Sequence, residues 1–441
     1  MENQIELTEI FLTNPEWKKA WDLIHIQNVS VNLCGKAGTG KSTFLRAIAK
    51  FSKKNTVFTA PTGIAALNIR GVTLHSFFGL HFGPLMPEDP RWTKHRLNQR
   101  KTKIIKKMDL LVIDEISMVR ADVLDSVDLI LRKICKADLP FGGKQLLIVG
   151  DNFQLEPVVK PNEWEILKQL YKTQYYFSSK AFEKAGFEVV ELKTIYRQNE
   201  KYFIDLLEKI RTASAGIYDI NELNGRLVSQ AEIEKSNNFG IILTTRNAVA
   251  NAENLLKLAK IKSPQHDFKA KIEGKFSEAN YPTDELLSLK AGAQIIMIKN
   301  DANKKWVNGT LGKVLEIFED EVKILLENGK EVIVSRSTWE QIEYDFDPKT
   351  KKISENIVGT FIQFPLRLAW AITIHKSQGL TFNNIILNLE GGAFAAGQLY
   401  VALSRCRTFE GLSLLHNVKI SDMKVHPEVM QFAGLGKYLD E

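Results

Sequence analysis

Residues 35–42 contain the feature that most constrains how this chain can fold. They read Gly-Lys-Ala-Gly-Thr-Gly-Lys-Ser and match the pattern G-x-x-x-x-G-K-[ST], between an apolar run at 29–34 and a helical pattern at 44–49. Glycines in such a loop let backbone N–H groups approach phosphate oxygens closely, while the lysine adds positive charge and the serine offers a hydroxyl to magnesium. The sequence therefore predicts a phosphate-binding loop between a strand and a helix of an α/β domain. The predicted nucleotide-binding residues of this loop are Gly35, Gly38, Thr39, Gly40, Lys41 and Ser42.

Two carboxylates follow a second apolar run, the Leu-Leu-Val-Ile of residues 110–113. Asp114 and Glu115 in isolation are more typical of a helix cap or a solvated turn. Downstream of a phosphate-binding loop, they predict a hydrolytic site. Asp114 is then placed to hold Mg²⁺ together with Ser42, and Glu115 to orient and deprotonate the attacking water.

A third apolar run, residues 145–149, leads into Gly150-Asp151 and then Gln154. In isolation this is a strand-to-loop turn with a capping Asp. After a third parallel strand, Gln154 is suited to sense the γ-phosphate and to report its presence elsewhere. The guanine-reading pattern N/T-K-x-D is absent from the chain, which favours ATP over GTP.

The distribution of apolar runs predicts the domain organisation. Short β-branched runs alternate with helical patterns in the first half and return at 241–245 and 385–389, which predicts two α/β units with parallel sheets. Between them lie runs separated by turn signals, and these predict a small all-β insertion. The expected strands of this insertion are 294–299, 312–318, 322–326, 331–334 and 361–366.

Composition limits the class of protein and its surroundings. Lys+Arg number 59 and Asp+Glu 52, a net charge of +7, and 44% of the 441 residues are hydrophobic, which excludes a fibrous or disordered chain. Cys34, Cys135 and Cys406 lie too far apart for a disulfide framework or a zinc motif, which favours a reducing compartment. The N-terminus is acidic and polar, and no apolar run approaches the roughly 20 residues of a membrane span. A cytoplasmic protein without a targeting segment or a membrane partner is expected.

Residues 91–107 depart from this balance, because they contain eight basic residues and no acidic one. Two interpretations stay open for such a run. It is either a solvated helix face or a surface that contacts a polyanion.

Further segments extend the series of motifs. They are Ala-Pro-Thr-Gly-Ile-Ala-Ala at 60–66, Gly-Val-Thr-Leu-His-Ser at 71–76, Tyr-Arg-Gln at 196–198, His-Lys-Ser-Gln-Gly-Leu-Thr at 375–381 and Leu-Tyr-Val-Ala-Leu-Ser-Arg at 399–405. Their order resembles that of superfamily 1 DNA helicases over residues 35–407. Segment 124–154, with Pro-Phe-Gly-Gly-Lys-Gln-Leu at 140–146, resembles the signature of the PIF-type (petite integration frequency) helicases of superfamily 1B, relatives of RecD-like enzymes.

The resemblance implies an α/β fold of two RecA-like P-loop motor domains with small inserted subdomains, one of them a Src-homology-3-like β-barrel. The first motor domain (1A) is expected at 1–180, with a wedge insertion (1B) at about 71–107. The second (2A) is expected at 181–269 and 359–441, and the barrel (2B) at 270–358. Relatives place a hairpin or wedge against the duplex junction near the basic stretch.

The same resemblance assigns roles at the nucleotide. The implied catalytic residues are Lys41, Asp114, Glu115, Gln154, Arg197 and Arg405. The two arginines match family residues that reach the γ-phosphate and neutralise charge developing in the transition state. Tyr196 resembles a tyrosine that stacks on adenine, and Gly379 a glycine in a loop that touches both nucleotide and DNA. The adenine-reading glutamine frequent in relatives is missing, and only Gln4 and Asn3 are available as substitutes.

DNA contacts are implied at Thr62, His75, Ser76, Thr245, Asn247, His375 and Lys376. Hydroxyl groups and cations at such positions bind phosphates without reading sequence. Taken alone, His75 is more typical of a core histidine. Phe77, Phe78 and Trp306 are aromatic and able to stack on bases, but as unplaced residues they are more typical of a core.

The resemblance implies a monomeric, ATP- and Mg²⁺-dependent 5′-to-3′ DNA helicase of bacterial or phage-like type. Its implied partners are single-stranded DNA and duplex junctions, with G-quadruplexes and RNA–DNA hybrids as further substrates, in repair, recombination or telomere maintenance. Two alternatives stay open. One is a DNA-stimulated ATPase switch or translocase that remodels protein–DNA complexes without strand separation, and the other is a non-catalytic nucleic-acid-binding module.

Overall fold

The computed structural model describes residues 14–87, 89, 92, 96–198, 200–235, 239–347 and 352–435. Gln4 and Asn3, the possible substitutes for the adenine-reading glutamine, lie outside these residues. Arg91 and Lys94 of the basic stretch also lie outside them. In the part described, no helix is long and apolar enough to cross a membrane.

The first motor domain is built on a six-stranded sheet in which all neighbouring strands are parallel, in the order β3-β2-β4-β5-β1-β6. Its strands are β1 Val31–Gly35, β2 Thr56–Ala60, β3 Val72–Thr73, β4 Leu110–Ile113, β5 Gln145–Gly150 and β6 Glu188–Leu192. Its helices are α1 Pro15–His25, α2 Lys41–Phe51, α3 Gly63–Asn68, α4 Leu74–Phe78, α5 Gln99–Lys107, α6 Ala121–Cys135, α7 Pro161–Leu167 and α8 Lys180–Ala185. All four residues of β4 are buried, as expected for a strand covered on both faces.

The chain then builds the first part of the second motor domain. Its elements are α9 Lys201–Arg211, α10 Ile217–Asn224, α11 Gln230–Lys235, β7 Ile241–Thr244 and α12 Asn247–Lys260.

A β-rich insertion follows, with strands in three antiparallel sheets, β10-β8, β14-β13-β12-β11-β17 and β15-β16-β9. The strands are β8 Gln265–Lys269, β9 Lys271–Gly274, β10 Leu286–Lys290, β11 Gln294–Met297, β12 Leu311–Ile317, β13 Glu321–Leu326, β14 Glu331–Ser335, β15 Ser337–Asp347, β16 Lys352–Gln363 and β17 Leu366–Leu368. The Src-homology-3-like barrel stays a prediction for this region.

The second motor domain is completed by β18 Ala371–Thr373, β19 Ile385–Asn388, α13 Gln398–Leu403, β20 Leu412–Leu414 and α14 Pro427–Phe432. Its four strands are parallel in the order β18-β7-β19-β20. The core of the second domain extends into the first, because Phe153 and Leu155 belong to the same cluster of buried side chains as Leu243 and Leu387.

Three observed features differ from the expected bounds, and the division into domains stays a prediction. The first sheet runs beyond residue 180, since β6 pairs with β1. The β-rich sheets extend from residue 265 to 368 and exceed the expected 270–358. The single strand expected over 361–366 is two strands in different sheets, because Pro365 lies between them and has no N–H to donate.

The wedge expected over about 71–107 stays a prediction, and described parts of this stretch pack against the first domain. β3 belongs to the motor sheet, and α5 buries Ile104 and Ile105 in the core of the first domain. The β15–β16 hairpin docks on the same core through Tyr344, whose hydroxyl accepts a hydrogen bond from the Phe58 N–H at 3.2 Å. Arg100 binds the same hairpin through Glu343 at 3.1 Å. At least this cation of the basic stretch therefore joins two domains, and its charge is already paired.

Candidate nucleotide and DNA sites

The phosphate-binding loop connects β1 to α2 and depends on two left-handed glycines. Gly38 has φ +82° and Gly40 φ +90°, a region that L residues with a Cβ adopt at a cost. A Cβ on Gly38 would lie 2.5 Å from Cβ of Arg197. The loop therefore excludes larger residues at Gly38 and brings Arg197 against the phosphate-binding backbone.

Lys41 lies inside the curve of this loop. Its Nζ donates to the carbonyl oxygens of Gly35 at 2.6 Å and Lys36 at 2.9 Å, and the Thr39 hydroxyl also donates to Lys36. Burial lowers the pKa of Lys41 below its ordinary value. A poorly hydrated ammonium that donates to neutral carbonyl groups is well placed to interact with phosphate oxygens.

Asp114 and Glu115 stand at the end of β4, where Asp114 is buried and Glu115 is half-buried. The Glu115 N–H donates to Asp114 Oδ1 at 2.9 Å, with Glu115 in the left-handed region at φ +50°. Burial and the neighbouring Glu115 raise the pKa of Asp114 to about 7. Burial also raises the pKa of Glu115, while Lys41 and Arg405 oppose the shift.

This acidic pair fits a divalent cation. The buried carboxylates are destabilised by desolvation, and a hard cation with oxygen ligands relieves that cost. Ser42 and Glu115 both line one cavity, and Ser42 contributes a hydroxyl to its wall. Among the described residues no group of three or more His, Cys, Asp and Glu side chains forms a ready metal cage, so a cation here would need nucleotide or water oxygens as well.

One side chain of the second motor domain connects Glu115 with Gln154. Gln378, in the loop after β18, donates from Nε2 to Glu115 Oε2 at 2.8 Å and to Gln154 Oε1 at 3.2 Å. Gln378 received no role of its own from the sequence. Its place in the 375–381 motif was the available signal.

Arg197 and Arg405 lie close together at the same cavity. Arg405 is 1% exposed and donates to the Ser404 hydroxyl at 2.7 Å and the Val401 carbonyl at 2.9 Å, while Arg197 donates to the Ser404 carbonyl at 3.2 Å. Burial and the neighbouring Arg197 lower the pKa of Arg405 to about 9. Two adjacent, poorly solvated guanidinium groups favour an anion between them.

Asp151 links both motor domains behind the phosphate-binding loop. Its carboxylate accepts from Arg211 Nη2 at 3.1 Å, from the Tyr400 hydroxyl at 3.2 Å and from Gln154 Nε2 at 3.3 Å. The Tyr400 hydroxyl also accepts from the Ala37 N–H of the loop at 3.0 Å. Sequence reasoning missed Arg211, because nothing distinguishes one arginine at a helix end, and it gave Tyr400 no role.

The cavity enclosed by these groups has a volume of about 770 Å³. Tyr196 is 51% exposed at its wall, and its hydroxyl accepts from Asn14 Nδ2 at 3.2 Å. Gly379 also lines the cavity, with φ +79°. Other lining residues, which the sequence analysis did not assign, are Trp17, Thr43, Arg46, Lys50, Thr381 and Arg407. Arg46 and Lys50 follow the loop at helical spacing, which was a usable signal, whereas Trp17 lies far away in sequence.

The residues predicted to contact DNA fall into two groups. Thr62, His75 and Ser76 follow β2 and β3 of the first domain. The second group is Thr245, Asn247, His375 and Lys376, which follow β7 and β18. Because Thr244 is opposite Thr373 in the sheet, these residues gather at one edge of it.

Their exposure differs. Ser76, Asn247 and Lys376 are exposed, whereas Thr245 is 7% exposed and Thr62 caps α3 by accepting the Ala65 N–H. The three aromatic residues weighed as base-stacking groups are core residues, as their sequence favoured. Their exposed fractions are 3% for Phe77, 0% for Phe78 and 8% for Trp306.

The fold and site define a class of protein. One parallel sheet carries a phosphate-binding loop and an acidic pair. Arginine and glutamine side chains from the domain of the second parallel sheet lie opposite them. This is the arrangement of a two-domain P-loop motor nucleotidase. A sequence model described as PIF1-like helicase matches residues 14–228. The chain is 32% identical over 435 residues to the ATP-dependent DNA helicase Pif1 of Bdellovibrio bacteriovorus, covering 96% of this chain and 92% of that protein. The chain belongs to the PIF1-like helicase family.

Other comparisons agree with this membership. The human ATP-dependent DNA helicase PIF1 is 33% identical over 429 residues, and the match spans 92% of this chain but only 61% of the human protein. Bacteroides sp Pif1 in complex with ADP-AlF4 has a TM-score of 0.88 at 39% identity, with 96% of each chain covered. Bacteroides Pif1 bound to ssDNA has the same identity and coverage but a TM-score of 0.69. The predicted family and the α/β fold with parallel motor sheets are confirmed.

Proposed function

We propose that the chain is an ATP-dependent DNA helicase that moves 5′ to 3′ on single-stranded DNA and separates duplex strands. The observation that carries this proposal is the composite site, in which Gln378 of the second domain binds Glu115 of the first. A nucleotide held between two domains couples its hydrolysis to their separation. Alternating grip by the two DNA-binding groups would convert this motion into translocation.

The nucleotide site supports ATP hydrolysis. Lys41 and the loop amides would bind the β- and γ-phosphates, and Glu115 would accept a proton from the attacking water. Ser42 and Asp114 would hold Mg²⁺, which neutralises phosphate charge when bound. Arg197 and Arg405 would stabilise charge on the transferring phosphoryl group, as arginine fingers do, while Gln154 and Gln378 would orient the water or sense the γ-phosphate.

The nucleobase would lie against Tyr196. Its half-exposed ring lines the cavity together with Trp17, and a Cβ on Gly40 would lie within 4 Å of both rings. Aromatic rings stack on any base, so this contact alone does not select adenine. ATP is proposed from the family and from the missing guanine-reading motif.

Two relatives support DNA as the track. One solved structure is of Bacteroides Pif1 bound to ssDNA, and the Bdellovibrio protein is named a DNA helicase. The exposed Ser76, Asn247 and Lys376 would contact phosphates on the two domains. The 5′-to-3′ direction, a monomeric enzyme, and activity on G-quadruplexes or RNA–DNA hybrids are further parts of the proposal.

Strand-displacement assays on duplexes with a 5′ tail or a 3′ tail test the proposal. The wild-type protein should displace only the 5′-tailed strand, in the presence of ATP and Mg²⁺. Lys41→Ala should abolish ATP hydrolysis and displacement but retain DNA binding, whereas Lys53→Ala, at an exposed lysine after α2, should behave as wild type. DNA-stimulated ATPase without displacement of either strand would instead indicate a remodelling switch, and unwinding by Lys41→Ala would falsify the motor assignment.

Substrate preference and oligomeric state need separate measurements. Matched duplex, forked, RNA–DNA and G-quadruplex substrates with the same 5′ tail would rank the substrates by displacement rate. Light scattering with and without a short oligonucleotide should give one chain per particle. A stable dimer on DNA would remove the monomeric part of the proposal.

A further inference from the structure

Phe82 is an exposed aromatic residue to which the motifs assign no role. It is 86% exposed and stacks on His75, with ring centroids 5.3 Å apart and planes at 14°. Its neighbours in the fold are the residues expected to bind the DNA backbone from the first motor domain. Most of the surface of this ring is open to solvent.

The exposure of Phe82 is imposed by the segment that carries it. Leu80 and Leu85 on either side are buried in the core of the first domain. The Leu85 N–H donates to Asp122 at 2.8 Å, and the Gly83 carbonyl accepts from Arg120 at 2.6 Å. The backbone is therefore anchored before and after Phe82, which holds the ring outward on a supported loop.

A cavity of about 230 Å³ lies beside this ring pair. Its walls combine apolar groups with a hydroxyl and a guanidinium group, and they include Phe82, His75, Thr62, Leu74, Arg120 and Val158. Pockets for drug-sized ligands run from about 300 to 1,000 Å³, so this one suits a single flat ring system. Burial lowers the pKa of His75, with a further contribution from Arg120, which favours a neutral imidazole.

We propose that Phe82 and His75 form a stacking platform for one base of the single-stranded DNA track. The inference rests on the proposed function and deepens it, because it changes His75 from a phosphate contact to part of a ring stack. Val158, 72% exposed at the same cavity, supplies a second apolar wall for the base. Every base has an aromatic face, so the platform holds DNA without reading its sequence.

The test measures binding of fluorescently labelled oligo-dT to the full chain. Base–aromatic stacking is worth about 1–3 kcal/mol per base, which at about 1.4 kcal/mol per tenfold predicts a roughly 5- to 140-fold loss of affinity for Phe82→Ala. Phe82→Trp should stay within about twofold of wild type, and Phe82→Leu should lose most of what Phe82→Ala loses, since leucine is apolar but cannot stack. Tyr218→Ala, at an equally exposed aromatic residue in α10, is the matched control and should bind as wild type.

A second measurement identifies the occupant. Oligonucleotides with one abasic position, moved along the strand, should show one position at which wild type and Phe82→Ala bind equally well. Equal effects at all positions, or an affinity of Phe82→Ala within twofold of wild type, would overturn the inference while leaving the helicase proposal intact. Phe82→Leu binding like wild type would indicate an apolar docking surface for a protein and would also overturn it. Failure of the wild-type protein to bind oligo-dT would instead refute the proposed function.

Discussion

Replacing Arg211 by methionine removes an ion pair that joins the two motor domains behind the nucleotide site. The side chain of Arg211 is 9% exposed and that of Asp151 is 0% exposed, with 3.1 Å between Nη2 and Oδ1. Methionine keeps most of the length of the side chain and its packing near Phe153. The variant therefore leaves one buried carboxylate without its charge partner.

The expected cost follows from that burial. Breaking a buried pair from one side costs about 3–5 kcal/mol, because the remaining charge is neither hydrated nor neutralised. At about 2–4 °C per kcal/mol for a domain of roughly 200 residues, the melting temperature should fall by roughly 6–20 °C. Asp151 also binds Gln154 and Tyr400, so ATP turnover should fall together with stability.

The effect has a defined pH dependence. Burial raises the pKa of Asp151, whereas the positive charges of Arg211 and Lys41 lower it. The lowering effect is the larger one, so the pKa of Asp151 lies below the ordinary 3.8. The pair therefore stabilises the fold at every pH above the ordinary carboxyl pKa, and this contribution is lost as pH falls through the lowered value. The difference between wild type and variant should persist at neutral and mildly acidic pH.

The assay is thermal unfolding followed by circular dichroism, with Arg132→Met as the matched control. Arg132 pairs with Asp138, whose side chain is 96% exposed, and more loosely with Asp128 at 3.7 Å. Because the Arg132 side chain is itself 37% exposed, these pairs should contribute only about 0–1 kcal/mol. Adding Asp151→Asn to Arg211→Met should recover part of the loss, since it removes the uncompensated charge. Equal melting temperatures for Arg211→Met and Arg132→Met would refute the reasoning.

Three other perturbations test different parts of the structure. Gly38→Ala should raise the KM for ATP at least about tenfold, because an alanine in the left-handed region costs about 1–2 kcal/mol and its Cβ would lie 2.5 Å from Arg197. Gly186 is also left-handed but has open space around it, so the control Gly186→Ala should leave the KM unchanged. Tyr344→Ala should destabilise docking of the β15–β16 hairpin by about 3–5 kcal/mol and Tyr344→Phe by about 1–3 kcal/mol, measured by urea unfolding, and equal losses would contradict the hydrogen bond to Phe58. Chelation by EDTA should abolish ATP hydrolysis and Mg²⁺ should restore it, with a higher half-saturating Mg²⁺ concentration in Asp114→Asn; an unchanged Mg²⁺ requirement would remove Asp114 from the metal site.

Much of the nucleotide site was predictable because its residues are local in sequence. The loop at 35–42 and the pair Asp114–Glu115 each follow a buried strand directly, and parallel strands present their carboxyl ends at one sheet edge. Resemblance to a family then supplied Arg197 and Arg405. The structure places residues 37–42 of the loop, Glu115, Arg197 and Arg405 around the same cavity. Gly35 and Lys36 do not line it, and Asp114 lies beside Glu115.

The missed features depend on contacts between distant segments. β6 alternates exposed and buried residues at the edge of its sheet, so it lacks the continuous apolar run that identified the other strands. Arg211 and Trp17 gain their positions only when the chain folds. The docking of Tyr344 on Phe58 joins residues 286 positions apart, which no local pattern indicates.

The central claim is tested most directly by strand displacement from a 5′-tailed duplex, measured for the wild type and for Arg405→Gln. Arg405 is the side chain through which the second domain contributes to the proposed nucleotide site. The wild-type protein should separate the strands with ATP and Mg²⁺. Arg405→Gln should still bind the DNA but lose displacement, since an arginine finger contributes about 10³ to 10⁵ in hydrolysis rate. Unwinding by Arg405→Gln at the wild-type rate, or no unwinding by the wild type, would contradict a helicase powered from a site shared by two motor domains.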